Sequence, residues 1–80
     1  IHIGESAEKQ LRNDCQAEVE AIQEYNEAIR LAGDQGDHGT REILEDILKD
    51  EEAHLDWLEA QLDQISQMGL APWLAEQVRD

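Results

Sequence analysis

Eighty residues with Lys+Arg 6 against Asp+Glu 20, a formal charge of −14, describe one small acidic domain or part of one. Such a surface repels phosphate backbones and attracts cations, which excludes nucleic acid as a partner. One cysteine, Cys15, excludes an internal disulfide, and no apolar run reaches membrane-spanning length.

No stretch resembles a signal peptide, so the expected compartment is a reducing cytoplasm, with no membrane partner. The chain begins at Ile1 and not at Met, which reads as a processed product or a piece. With 40% apolar residues it is too apolar for a disordered segment. A core of this size is marginal without a metal or a partner chain.

Helix formers dominate two long proline-free segments, and no alternating strand pattern occurs. The first helix is expected over about 6–33. Ser6 serves as its N-cap, and Glu5 and Glu8 suit the positive end of its dipole. Gly33, Gly36 and Gly39, with Asp34 and Asp37, then break the chain, and the short loop returns the next helix antiparallel. That second helix is expected over about 40–68, ended by Gly69. Pro72 fits the first turn of a short third helix, about 71–79. The fold class is therefore all-α: an antiparallel hairpin plus a short C-terminal helix, with no linker or second domain visible within 1–80.

The apolar stripe of the first helix is Leu11, Cys15, Glu18, Ile22, Tyr25, Ile29, Ala32, a heptad-like seam with a glutamate in its middle. The stripe of the second is Leu44, Ile47, Glu51, His54, Leu58, Gln61 or Leu62, Ile65. Glu51 and His54 are three apart and share a face. For a turn near Gly36, Glu18 lies 18 residues before it, and Glu51 and His54 lie 15 and 18 after it. At helical rise all three sit roughly 22–27 Å from the turn. Unpaired buried carboxylates are costly, and two together repel. A divalent metal relieves both, and carboxylates with a neutral imidazole suit iron, manganese or zinc. The plainer reading is a set of buried hydrogen bonds, or a rolled helix that exposes Glu18. A lone Glu-x-x-His is a weak signal; a seam glutamate at the same height strengthens it.

The motifs also carry a family resemblance. Ile3-Gly4-Glu5, Leu11-Arg12, Asp14 and Glu18 resemble the start of the third long helix of bacterioferritin. The run from Asp50 to Glu59 (DEEAHLDWLE) resembles its fourth-helix signature, and Gln67-Met68-Gly69-Leu70 its short final helix. The resemblance spans nearly the whole chain and implies the C-terminal half of a ferritin-like four-helix bundle. It implies Glu18 as a terminal ligand to one iron, Glu51 as a bridge, and His54 as the terminal imidazole on the same iron as Glu18. A complete di-metal set draws one Glu from each of two helices and one Glu-x-x-His from each of two others. A companion N-terminal half or a second copy must then supply the rest. The activity implied is that of a ferroxidase: Fe(II) is oxidised by dioxygen or peroxide and stored in a homo-oligomeric cage of twenty-four subunits. Haem b belongs to the same expectation, but its methionine ligand lies in the part of the family pattern this chain does not match, and Met68 is not in that position.

Other residues have plainer explanations. Tyr25 reads as a core tyrosine before a redox phenol, and Cys15 as a small core residue. Trp57 reads as packing. Asp14 and Asp50 flank the ligands, as outer partners or as solvated surface. His2 and His38 lie off both stripes and receive no role. Two other functions stay open: a non-catalytic acidic assembly module, and a homodimeric di-metal carboxylate protein. The short third helix and the Asp50 signature weigh against the second.

Overall fold

The computed structural model describes residues 3–78 as three helices: α1 (Ile3–Asp34), α2 (His38–Met68) and α3 (Leu70–Gln77). Among the described residues there is no strand. The antiparallel hairpin and short final helix expected from the sequence are therefore present.

Three residues, Gln35 to Asp37, make the turn. The Asp37 amide donates to the Ala32 carbonyl at 2.8 Å, and the Gly36 amide to the Gly33 carbonyl at 3.0 Å. This is a Schellman ending, which needs a left-handed residue, and Gly36 supplies it at φ 73°. Asp37 then caps α2: its carboxylate accepts from the Thr40 amide at 3.2 Å and the Thr40 hydroxyl at 2.7 Å. Those two bonds hold its pKa below the usual aspartate value of 3.8.

Two boundaries differ from expectation. Helix α1 starts a turn before Ser6, so Ser6 is not its cap. The cause is tertiary: α3 packs on that first turn, where a Cβ on Gly4 would lie 2.7 Å from Leu74 Cδ1. The extra turn is held by contact that no local propensity predicts. Likewise α2 starts at His38 and carries Gly39 inside it, because Asp37 caps two residues earlier than the glycines suggest. Helix α3 ends at Gln77, while residue 79, the expected end, lies outside the described residues.

The core is small and lies toward the α3 end. Leu11, Leu58, Ile65 and Trp73 form it, with Ala7, Cys15, Leu62, Leu70 and Leu74 against it. Leu58 is 1% exposed; burying such a side chain contributes about 1.5–3 kcal/mol. Trp73 fastens α3: its indole N–H donates to Gln61 Oε1 at 3.1 Å, both groups buried. Toward the turn, Ile22, Tyr25, Ile29, Leu44 and Ile47 are only half-buried, because two helices cover one side of a stripe and leave the other open. The hairpin is a rod of 52 × 23 × 19 Å with a radius of gyration of 16.8 Å, against about 12 Å for a compact chain of this length.

Two glycines should respond oppositely to alanine. Nothing lies within 4 Å of a Cβ on either Gly36 or Gly39, so only backbone terms act. Gly36→Ala is expected to lower stability by about 1 kcal/mol, and Gly39→Ala to raise it by about 0.5 kcal/mol, in urea unfolding followed by helical circular dichroism.

The Asp37 cap sets a pH dependence. Its folded pKa is depressed, so its stabilisation is fully present above the unfolded aspartate value of 3.8 and is lost as pH falls below that and through the lower folded value. Asp37→Ala should melt below the parent at neutral pH, and the gap should close on acidification below about pH 3.8.

Candidate metal centre

Glu18 stands at the middle of α1, and Glu51 and His54 straddle the middle of α2. Hairpin register brings them to one height, as their distances from the turn require. Each offers one ligating atom, and the three atoms lie within 4.8 Å of one another. Among the described residues this is the group of acidic and imidazole side chains arranged to hold an ion.

The electrostatics are unbalanced. Glu18 Oε1 lies 3.2 Å from His54 Nδ1. Its other oxygen, Oε2, is buried with no hydrogen-bond partner. The Glu18 side chain is 15% exposed and that of His54 53%. The Glu51 carboxyl is pushed above the usual glutamate range of 4.5, first by a hydrogen bond to Glu18 that only a protonated Glu51 can donate. Burial and the Glu18 charge push the same way, as does Asp50 more weakly, while His54 pulls it down. The two facing carboxyl groups occupy the place where a cation would neutralise both.

The donor set fits a divalent first-row ion. Oxygen and nitrogen ligands bind such ions at about 2.0–2.2 Å, which places opposite ligands about 4.2 Å apart. Small rotations of the three side chains would reach that spacing. The orphaned Glu18 Oε2 is an acceptor without a donor, the condition that a bound cation relieves.

The neighbours separate into outer contacts and surface. Trp57 is 53% exposed. Its ring stacks on His54, with centroids 6.4 Å apart and planes inclined 24°. It packs against the cluster and not in the core, and the three-residue spacing from His54 is the signal that could have located it. Asp14 accepts from Gln10 Nε2 at 2.8 Å along its own helix. Neither Asp14 nor Asp50 joins the close group of three. Tyr25 is half-buried on the stripe. Cys15 lies against the core. Burial, then Glu59 and Asp14, raise its thiol pKa against the pull of Arg12, so it stays protonated. His38 is exposed at the start of α2, and His2 lies outside the described residues. Two clefts at the turn end, one lined by Arg30, Arg41 and Glu45 and the other by Ala28, Leu31 and Leu44, do not touch the cluster. The cluster sits on an open hairpin face and not in a closed pocket.

The ferritin-like domain matches residues 2–68. The chain belongs to the ferritin-like family. It is similar to the bacterioferritin of Brucella melitensis, 32% identical over 69 residues, which are 86% of this chain and 43% of that protein. The bacterioferritin of Streptomyces coelicolor is 33% identical over 75 residues, 94% of this chain and 45% of that one. The bacterial ferritin of Synechocystis is 35% identical over 79 residues, 98% of this chain and 51% of that one. The ferritin-like chain thus spans about half the length of the curated relatives it matches. No solved structure matches it significantly. No described helix is long and apolar enough to cross a membrane.

Glu18→Gln separates repulsion from coordination. The variant removes one of two facing charges, so the metal-free protein should melt higher than the parent. Its affinity for Mn(II) or Zn(II) should fall by at least the ~10–100-fold that loss of an outer partner costs, read by calorimetric titration. An affinity equal to that of the parent would take Glu18 out of the ligand set.

Proposed function

We propose that this chain is the C-terminal half of a ferritin-like domain and supplies half of a carboxylate-bridged di-iron centre for iron oxidation and storage. The observation that carries the reading is the convergence of Glu18, Glu51 and His54 within 4.8 Å around a buried, partnerless Glu18 oxygen. Family membership supports it, since the similar proteins are named bacterioferritins and a bacterial ferritin.

In this reading Fe(II) is the substrate. Each ion gives up one electron, and two electrons reduce dioxygen to hydrogen peroxide, or hydrogen peroxide to water. A pair of bound irons supplies both electrons at one place. The residues of this chain set the geometry. Glu18 and His54 would hold one ion, and Glu51 would be shared with the second. His54 must be neutral to ligate, and both carboxylates must be ionised, so metal affinity falls as pH is lowered. Trp57 on the His54 ring fixes the plane of the imidazole. The remaining glutamate and Glu-x-x-His come from a companion hairpin. The acidic balance of −14 draws cations toward this surface. A homo-oligomeric cage in the cytoplasm, with haem b between subunits, follows from the bacterioferritin resemblance alone.

Iron titration with an oxygen electrode tests the activity in the assembled protein. Rapid oxidation of Fe(II) is expected, with a rate at least ~100-fold lower in Glu51→Ala, the scale on which single catalytic groups act. Unchanged oxidation in that variant, folded by circular dichroism, would remove Glu51 from the centre and with it the ferroxidase reading.

A further inference from the structure

We propose that Trp73 is a positioning residue for the metal centre. By docking α3 across both long helices it sets the spacing of α1 and α2 at the height of Glu18 and His54, and an ion bound there tightens that docking in return. The inference rests on the metal-centre reading above and adds to it a residue that holds no ion.

Three observations carry it. The first is that the cluster is built across the hairpin. Glu18 Oε1 on α1 lies 3.2 Å from His54 Nδ1 on α2, so the distance between ligands follows the distance between helices. A metal site needs its ligands held to about 0.5 Å. The turn fixes register but does not hold spacing so finely. Glu18 and His54 lie 18 residues on either side of Gly36. That is roughly 27 Å along the helices, and opening the hairpin at the turn by about 2° parts them by about 1 Å.

The second is that α3 grips both helices at the far end. The indole of Trp73, 6% exposed, donates to Gln61 Oε1 on α2 at 3.1 Å. Leu70 and Leu74 rest on Gly4 of α1, where a Cβ would come within 3.0 and 2.7 Å of them. An isolated helix of eight residues is not stable in water, so α3 is helical only while docked.

The third is where close packing stops. The core that Trp73 completes includes Leu11 and Leu58, with Cys15 against it. Leu58 lies four residues after His54 and Cys15 three before Glu18, each on the helix face of its ligand. On the turn side, Ile22, Tyr25 and Ile47 are only half-buried. A close-packed interior transmits displacement, whereas a loose one absorbs it. The cluster is therefore coupled more strongly to α3 than to the turn. Such coupling is reciprocal, so an ion that fixes the helix spacing also favours the docked α3.

Zn(II) titration of the assembled, metal-free protein by calorimetry tests the proposal, together with hydrogen exchange read by mass spectrometry. Trp73→Ala releases α3. It is expected to weaken Zn(II) binding at least ~5-fold, the lower end of the range for coupled sites, at a temperature where circular dichroism shows α1 and α2 still helical. Trp73→Phe keeps a ring in the core and should bind Zn(II) like the parent, although it leaves Gln61 Oε1 unpaired and melts lower. In the parent, Zn(II) should slow amide exchange over 70–77 more than over 38–44 at the turn. Affinity in Trp73→Ala equal to that of the parent overturns the role of Trp73 and leaves the metal-centre reading standing. So does slowing that is no greater in α3 than at the turn. Should Trp73→Ala fail to fold, the exchange comparison in the parent decides alone. A parent that binds no Zn(II) overturns both readings.

Discussion

Repulsion between the Glu18 and Glu51 carboxylates, held together by helices that cannot easily move apart, is the constraint on which the rest of the structure turns. In water two such groups would separate or exchange their proton freely. Here Glu18 is largely shielded, one of its oxygens has no donor, and the pKa of Glu51 is raised by its contact with Glu18. The hairpin therefore holds a locally unfavourable arrangement in place. Arrangements of this kind persist where a ligand relieves them, and a divalent cation relieves this one by charge and by geometry together.

The hairpin can hold the arrangement because its turn is sharply defined. The Gly36 ending and the Asp37 cap fix how many residues separate the two helices and at what rotation each one starts. One residue more or less would rotate α2 by about 100° and shift it by about 1.5 Å relative to α1. Glu51 and His54 would then face away from Glu18. The turn lies far from the cluster, yet it sets the register that makes the cluster.

The packing is uneven for a related reason. Helix α3, fastened by the Trp73–Gln61 bond, closes the end where Leu11, Leu58 and Ile65 meet. The remainder of the stripe, including the cluster, is roofed on one side only. A rod with a charge of −14 and so little enclosed apolar volume gains from whatever covers that face, and bound cations would also offset its self-repulsion.

Much of this was legible in the amino-acid sequence. Seam periodicity placed Glu18, Glu51 and His54 on facing stripes, and counting residues from Gly36 placed them at one height, because helical rise and pitch are nearly invariant; the expectation that all three are enclosed fails at His54, which is 53% exposed because two helices leave one side of the stripe open. The DEEAHLDWLE run carried the family, which the ferritin-like match and the bacterioferritin relatives bear out. What the sequence could not supply depended on contacts between residues far apart in the chain. Helix α1 passes through Ser6 because α3 packs on Gly4, and Trp57 leaves the core to lie on the His54 ring. The unequal surroundings of the two carboxylates were likewise decided in three dimensions, one oxygen orphaned on Glu18 and a raised pKa on Glu51. Local propensity and periodicity are properties of a segment, whereas burial and charge coupling belong to the space between segments.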